Sequence, residues 1–324
     1  MHYKLLGNSG LRVSELCYGA WRGWTGPKED CLPIYRAFLD AGGNFVDTAN
    51  VYGDGRSETY LGEFCEDHRE ELVIATKYSG AVNATGRDPN AGGNHRKSII
   101  RSCEESLKRL RTDYIDVYWM HGWDEVTPVE EVMRAFDDLV RQGKVLHCGV
   151  SNTPAWWIAQ ANTIARFSGW TPFDATQIEY SLVERTVERE IIPAARALGM
   201  SVLAWSPLAG GVLAGKGAPA PESREARILK VLEAIAKDLG RTPAQVALSW
   251  LRQASASTIP IIGASRVDQL LDNLGCLEFK LDDQQRQSLS EASAIEAEYP
   301  MKFLRTEGMR EVAFGGLFDR IDAP

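Results

Sequence analysis

The sequence predicts an α/β protein of the (β/α)8 TIM-barrel class, a single domain over residues 1–324 with long loops on the catalytic face and an extra C-terminal helix. Three observations predict it. Eight short apolar, β-branched runs recur along the chain. Segments with helical spacing lie between them, at roughly thirty residues per unit, the alternation of parallel strands and crossover helices. An open nucleotide-binding sheet would carry G-x-G-x-x-G after its first strand, and here that place holds YGAWRGWTG. Eight units in one chain of this size suit a closed barrel.

The predicted strands are SELCYG (14–19), NFVDTA (44–49), LVIATK (72–77), YIDVYWMH (114–121), VLHCGVS (145–151), DATQIEY (174–180), SVLAWSP (201–207) and STIPIIG (257–263). Their unbroken apolar character suits strands covered on both faces. Among the helices, NHRKSIIRSCEESLKRL places Ile99, Ile100, Cys103, Leu107 and Leu110 on one stripe. TPVEEVMRAFDDLVRQGK and TPAQVALSWLRQA both begin with a Thr-Pro start signal. Two connections are unusually long, 78–94 after the third strand and 208–225 after the seventh. Both leave C-terminal strand ends, where barrel enzymes do their chemistry, so they are expected to be lids or binding loops. LDDQQRQSLSEASAIEAE reads as one further helix before a tail.

Composition removes several functions. The net charge of −8 disfavours nucleic acid, which needs clustered Lys and Arg. No run approaches the apolar length of a membrane helix, and the first residues lack the apolar region of a secretory signal. The six cysteines form no C-x-x-C pair and the five histidines are dispersed, so no metal is expected and the thiols are read as reduced, in the cytoplasm.

The strand ends carry the chemistry. The second strand ends in Asp47 with Tyr52 in its loop, the third in Lys77 and the fourth in His121. Adjacent strands lie about 5 Å apart, so the four groups converge on one side of the barrel mouth. A nearby ammonium favours the charge that a tyrosine acquires on releasing its proton, and a carboxylate holds that ammonium charged and oriented. A histidine beside them can share the proton or fix a substrate oxygen. Such a group serves as an acid toward a carbonyl and a base toward an alcohol, with a hydride carrier supplying the electrons. A barrel hydrolase would instead want paired carboxylates at the mouth.

Over essentially its whole length the sequence resembles the aldo-keto reductases. The resemblance rests on VDTANVYGDGRSETYLGEF, LVIATKY, SLKRLRTDYIDVYWMH, GKVLHCGVSN, TQIEYSL, LAWSPLAGGVLAGK and IPIIGASRVDQLLDN, in that order. It implies an oxidoreductase that interconverts a small-molecule aldehyde or ketone and its alcohol. Tyr52 is then the general acid/base, Lys77 and Asp47 tune it, and His121 orients the carbonyl. It further implies that Ser151, Asn152 and Gln177 hold the nicotinamide carboxamide and Trp205 stacks on its ring. Ser206, Pro207, Leu208, Gly210 and Gly211 wrap the pyrophosphate, and Gly263, Ser265, Arg266, Gln269 and Asn273 take the adenosine end. Arg266 suits a 2′-phosphate, which favours NADPH, with NADH as the alternative. Trp21, Trp24, Tyr78 and Trp123 are the candidate walls of the substrate pocket. The second reading is a nucleotide-sensing regulatory subunit resembling potassium-channel β subunits, with a strand signal by residue 14 and no extra segment before it arguing against it.

Overall fold

The computed structural model describes residues 1–21, 24, 26–82, 85–217 and 219–321. The chain opens with an antiparallel hairpin, β1 (Tyr3–Leu5) and β2 (Arg12–Ser14). At three residues each, these strands are too short for an apolar pattern to announce them. The eight predicted barrel strands follow: β3 (Cys17–Gly19), β4 (Phe45–Asp47), β5 (Val73–Tyr78), β6 (Ile115–Met120), β7 (Val145–Ser151), β8 (Phe173–Glu179), β9 (Ser201–Trp205) and β10 (Thr258–Ile262). Each pairs in parallel with the next, and β10 closes on β3 through Ile261 opposite Cys17 and Ile262 opposite Tyr18. Closure removes both sheet edges.

Around the barrel lie α1 (Lys28–Asp40), α2 (Arg56–Phe64), α3 (Arg96–Leu110), α4 (Val129–Arg141), α5 (Ala155–Ser168), α6 (Ile191–Leu198), α7 (Arg224–Leu239), α8 (Pro243–Arg252) and α9 (Val267–Leu274), followed by α10 (Asp283–Ala292). The α3 stripe buries Ile99, Cys103, Leu107 and Leu110, with Ile100 half-buried at its margin. At α8 the Thr-Pro signal works as expected, because Thr242 and Gln245 form a reciprocal capping box. At α4 it does not: Pro128 takes the capping position, and the Thr127 hydroxyl donates to Asp124 Oδ2 at 2.7 Å instead.

Strand side chains alternate between two cores. Phe45, Ala75, Val117, Trp119, Ala175 and Leu203 fill the barrel interior, where Leu6 and Val13 of the hairpin region join them and close one end. Val46, Ile74, Tyr118, Val150, Ile178 and Val202 face the helices in a larger cluster. The hairpin is tied down by the Gly7 amide donating to Ser201 Oγ at 2.7 Å and by Lys4 Nζ donating to the Thr258 carbonyl at 2.6 Å.

The chain divides into two compact units, Met1–Ser293 with the barrel and α10, and Ala294–Pro324. The second holds α11 (Met301–Leu304) and α12 (Glu307–Phe314), where Phe314 meets Phe318 edge-on at 4.9 Å. Among the described residues, no helix is long and apolar enough to cross a membrane.

Candidate active site

The two-residue period of the strands decides which side chains reach the mouth. Asp47, Lys77, His121, Ser151, Gln177 and Trp205 each stand two residues beyond an interior position (45, 75, 119, 149, 175 and 203), so all six continue the inner face at the C-terminal strand ends. Gly149 is required among them, because a Cβ there would meet the Trp119 ring at 2.1 Å.

Lys77 is wholly buried and makes three polar contacts. Its ammonium is ion-paired to Asp47 Oδ2, donates to the Thr48 carbonyl at 2.8 Å and lies 3.3 Å from Tyr52 Oη. Burial opposes its charge, yet Asp47 and Tyr52 outweigh that and hold Lys77 above the ordinary lysine value. Burial pushes the Asp47 carboxyl up, against the pull of Lys77 and of Gln177, whose amide donates to Asp47 Oδ1 at 3.1 Å. The Tyr52 ring stands edge-on to His121, centroids 5.8 Å apart. Burial, reinforced by the Lys77 ammonium, pulls His121 down to about 3, so its imidazole is neutral near pH 7.

The turn that presents Tyr52 contains Gly53, Asp54 and Gly55, all with positive φ. A Cβ at Gly55, with φ +90°, would also meet Arg109 Cδ at 2.8 Å. Behind the turn, Glu58 is wholly buried and accepts from Thr76 Oγ1 at 2.5 Å and from Arg109 Nε at 2.6 Å. This anchors α2 to β5 and α3 and fixes the direction from which Tyr52 approaches.

Beside these groups, Ser151 Oγ is buried without a hydrogen-bond partner. Such an orphan is unusual in a native interior and fits a ligand amide. Asn152 is already engaged: its Nδ2 donates to the His121 carbonyl at 2.8 Å, and its Oδ1 accepts from Trp205 Nε1 at 3.2 Å. After β9, Ser206, Ala209, Gly210 and Gly211 all have positive φ, and the loop folds on itself, with the Ala209 amide donating to the Ser206 carbonyl at 2.8 Å and the Gly211 amide to the Leu208 carbonyl at 2.9 Å. Pro207 is buried and Leu208 packs on the core, so the loop is seated from below. At β10 and α9, Asn273 Nδ2 donates to the Gly263 carbonyl at 3.3 Å, and Gln269 Oε1 accepts from Ser265 N at 3.1 Å and from Ser265 Oγ at 3.0 Å. Arg266 is exposed and paired to Asp268 through Nε at 2.9 Å and Nη2 at 2.8 Å. The orphan hydroxyl fits the amide of a nicotinamide cofactor. Among the described residues, no cluster of His, Cys, Asp and Glu could hold a metal ion.

Two proposed pocket walls are corrected. Tyr78 follows the inward Lys77 and therefore faces outward; it is wholly buried against Tyr118 and Phe136 on the helix side. Trp24 is wholly buried among Tyr18, Tyr35 and Phe64, with its Nε1 donating to Tyr18 Oη at 3.0 Å. Trp21 is half-exposed and its ring lies 6.0 Å from that of Tyr52. Trp123 is half-buried and meets Trp156 edge-on at 5.5 Å. Trp156, 57% exposed at the start of α5, is not among the expected residues, although it lies four residues past the GVSN motif. Of the two long loops, 78–94 is pinned by Arg101 to the carbonyls of Asn90 and Ala91, while 208–225 begins with 3₁₀ turns at Ala209–Ala214. Positions 83, 84 and 218 of these loops lie outside the described residues.

A profile of the Aldo/keto reductase family matches residues 15–294. The chain is 34% identical to a putative aryl-alcohol dehydrogenase, AAD14, of Saccharomyces cerevisiae, over 91% of this chain and 87% of that protein. It is 35% identical to an aryl-alcohol dehydrogenase of Phanerodontia chrysosporium whose name specifies NADP(+), over 92% and 87%. It is 36% identical to the norsolorinic acid reductase stcV of Emericella nidulans, over 91% and 82%.

Proposed function

From the premise that the chain belongs to the aldo/keto reductase family, we propose that it is an NADPH-preferring reductase of aromatic aldehydes and ketones, with Tyr52 as its general acid. The observation that carries the reading is the Lys77 ammonium, locked by Asp47 and the Thr48 carbonyl, 3.3 Å from Tyr52 Oη. When bound, the nicotinamide cofactor supplies the hydride that reaches the carbonyl carbon. Tyr52 Oη gives its proton to the carbonyl oxygen, and Lys77 stabilises the charge left on the phenol oxygen. His121, neutral, offers a ring N–H to the same oxygen and aims it without competing as an acid. In the alcohol-oxidising direction the same Tyr52 oxygen accepts the proton.

Ser151, Asn152, Gln177 and Trp205 are assigned to the nicotinamide, Ser206, Pro207, Leu208, Gly210 and Gly211 to the pyrophosphate, and Gly263, Ser265, Arg266, Gln269 and Asn273 to the adenosine end, with Arg266 at the 2′-phosphate. The relative named for NADP(+) supports that preference. The aromatic substrate class is supported by Trp21 beside Tyr52, by the Trp123–Trp156 pair, and by relatives named for aryl alcohols and for norsolorinic acid.

The test is NADPH consumption with a panel of aromatic and aliphatic aldehydes, ketones, quinones and ketosugars, run with wild type and Tyr52→Phe. The expected result is preference for the aromatic members and a loss of turnover of about a thousandfold in the variant, with NADPH affinity retained. A Tyr52→Phe protein as active as wild type overturns the assignment.

A further inference from the structure

The adenosine end of the proposed cofactor site is a self-satisfied surface. Gln269 is held by Ser265, Asn273 by the Gly263 carbonyl, and Arg266 by Asp268. The last pair differs from the others because it is ionic and exposed, with side chains 62% and 67% accessible. It is also bidentate, so Asp268 takes the Nε–Nη2 edge of the guanidinium, an edge that also receives two oxygens of a phosphate. A 2′-phosphate and the Asp268 carboxylate are thus rival anions for one cation.

We propose that Asp268 is a specificity-determining residue that competes with the 2′-phosphate for Arg266 and so narrows the difference between NADPH and NADH. The inference rests on the reading of Arg266 as the 2′-phosphate group's partner, and it adds the residue that opposes it. Two effects act together on NADPH. The phosphate must displace the carboxylate or share the guanidinium with it, and the displaced carboxylate remains close as a like charge. NADH meets neither cost, and a carboxylate in this setting also suits a free ribose 2′-hydroxyl as a hydrogen-bond acceptor. The Arg266–Asp268 contact is solvent-exposed, and pairs of this kind are weak, so exchange of partners is easy. The aspartate has a structural role as well, since it is an acid in the first turn of α9 where the helix dipole favours it. That role is indifferent to which cofactor binds, and the ratio of the two affinities separates the roles.

The experiment measures dissociation constants of NADPH, NADH, 2′,5′-ADP and 5′-AMP by calorimetry for wild type, Asp268→Asn, Asp268→Ser and Arg266→Ala, with thermal melting as the check on folding. Asp268→Asn is expected to tighten NADPH and 2′,5′-ADP by roughly fivefold while NADH and 5′-AMP stay level or weaken. Asp268→Ser, which keeps a short polar group in the first turn of α9, is expected to do the same. An unchanged NADPH-to-NADH ratio in both Asp268 variants overturns the proposal. If those ratios are unchanged while Arg266→Ala still weakens NADPH alone, the 2′-phosphate reading survives without it. If Arg266→Ala weakens NADPH and NADH equally, the underlying reading fails and the proposal falls with it.

Discussion

The two ends of the proposed cofactor cleft are built on opposite principles. At the β4–β6 end, Lys77 is fully buried and its ammonium already contacts Asp47, the Thr48 carbonyl and Tyr52. At the β10–α9 end, Arg266 is exposed and its ion-pair partner among the described residues, Asp268, sits two residues away. A buried cation cannot wait for its ligand, because an unpaired charge in the interior is too costly. An exposed one can, because water and a local carboxylate satisfy it until something better arrives. Under the proposed function, the chemistry is preorganised at the end assigned to proton transfer, whereas the end assigned to recognition is left free to exchange partners.

If that contrast is right, substitutions should differ in kind as well as in size. Lys77→Met should have the largest effect, leaving Asp47 buried without its cation. Stability should fall by about 3–5 kcal/mol and turnover by roughly a thousandfold, read by urea denaturation and steady-state kinetics. Adding Asp47→Asn should restore much of the stability and none of the turnover. If the single variant is as stable as wild type, the preorganised end is no more strongly wired than the exposed one.

Ser151→Ala comes next. Removing the orphan hydroxyl should weaken NADPH and NADH alike by about tenfold and leave the melting temperature of the free protein unchanged or higher. A loss confined to one cofactor would move Ser151 away from the nicotinamide end.

His121 gives an effect on the pH slope of stability that vanishes near neutral pH and carries a definite sign. Its folded value, about 3, lies below the ordinary value near 6.5. Between those values the unfolded chain takes up a proton that the folded protein refuses, so this contribution to stability is complete above about pH 6.5 and drains away as pH falls toward 3. His121→Asn should flatten that part of the curve of unfolding free energy against pH. An identical slope in both proteins would place the acid sensitivity elsewhere.

The barrel was legible because each strand is an apolar run and the helices between carry their own spacing and caps. Asp47, Lys77 and His121 were legible as polar residues closing those runs. Tyr78 was misplaced although the sequence held the answer, since neighbours in a strand face opposite ways and Lys77 already claims the interior. The burial of Trp24 was not legible, because it depends on Tyr35 and Phe64, which belong to α1 and α2. Nor was the clasp of Asp268 on Arg266, which depends on how the chain turns into α9. The hairpin is not legible in the sequence, because it is held by partners far along the chain.

That last feature also sets an order of events in folding. The hairpin region precedes every barrel strand in the chain, yet Gly7 waits for Ser201, 194 residues later, and Lys4 for Thr258, 254 residues later. Contacts of such separation come late, after the nearer ones have closed the intervening loops. The stopper at the bottom of the barrel can be seated only once the ninth and tenth strands are in place, so a locked hairpin signifies a finished barrel.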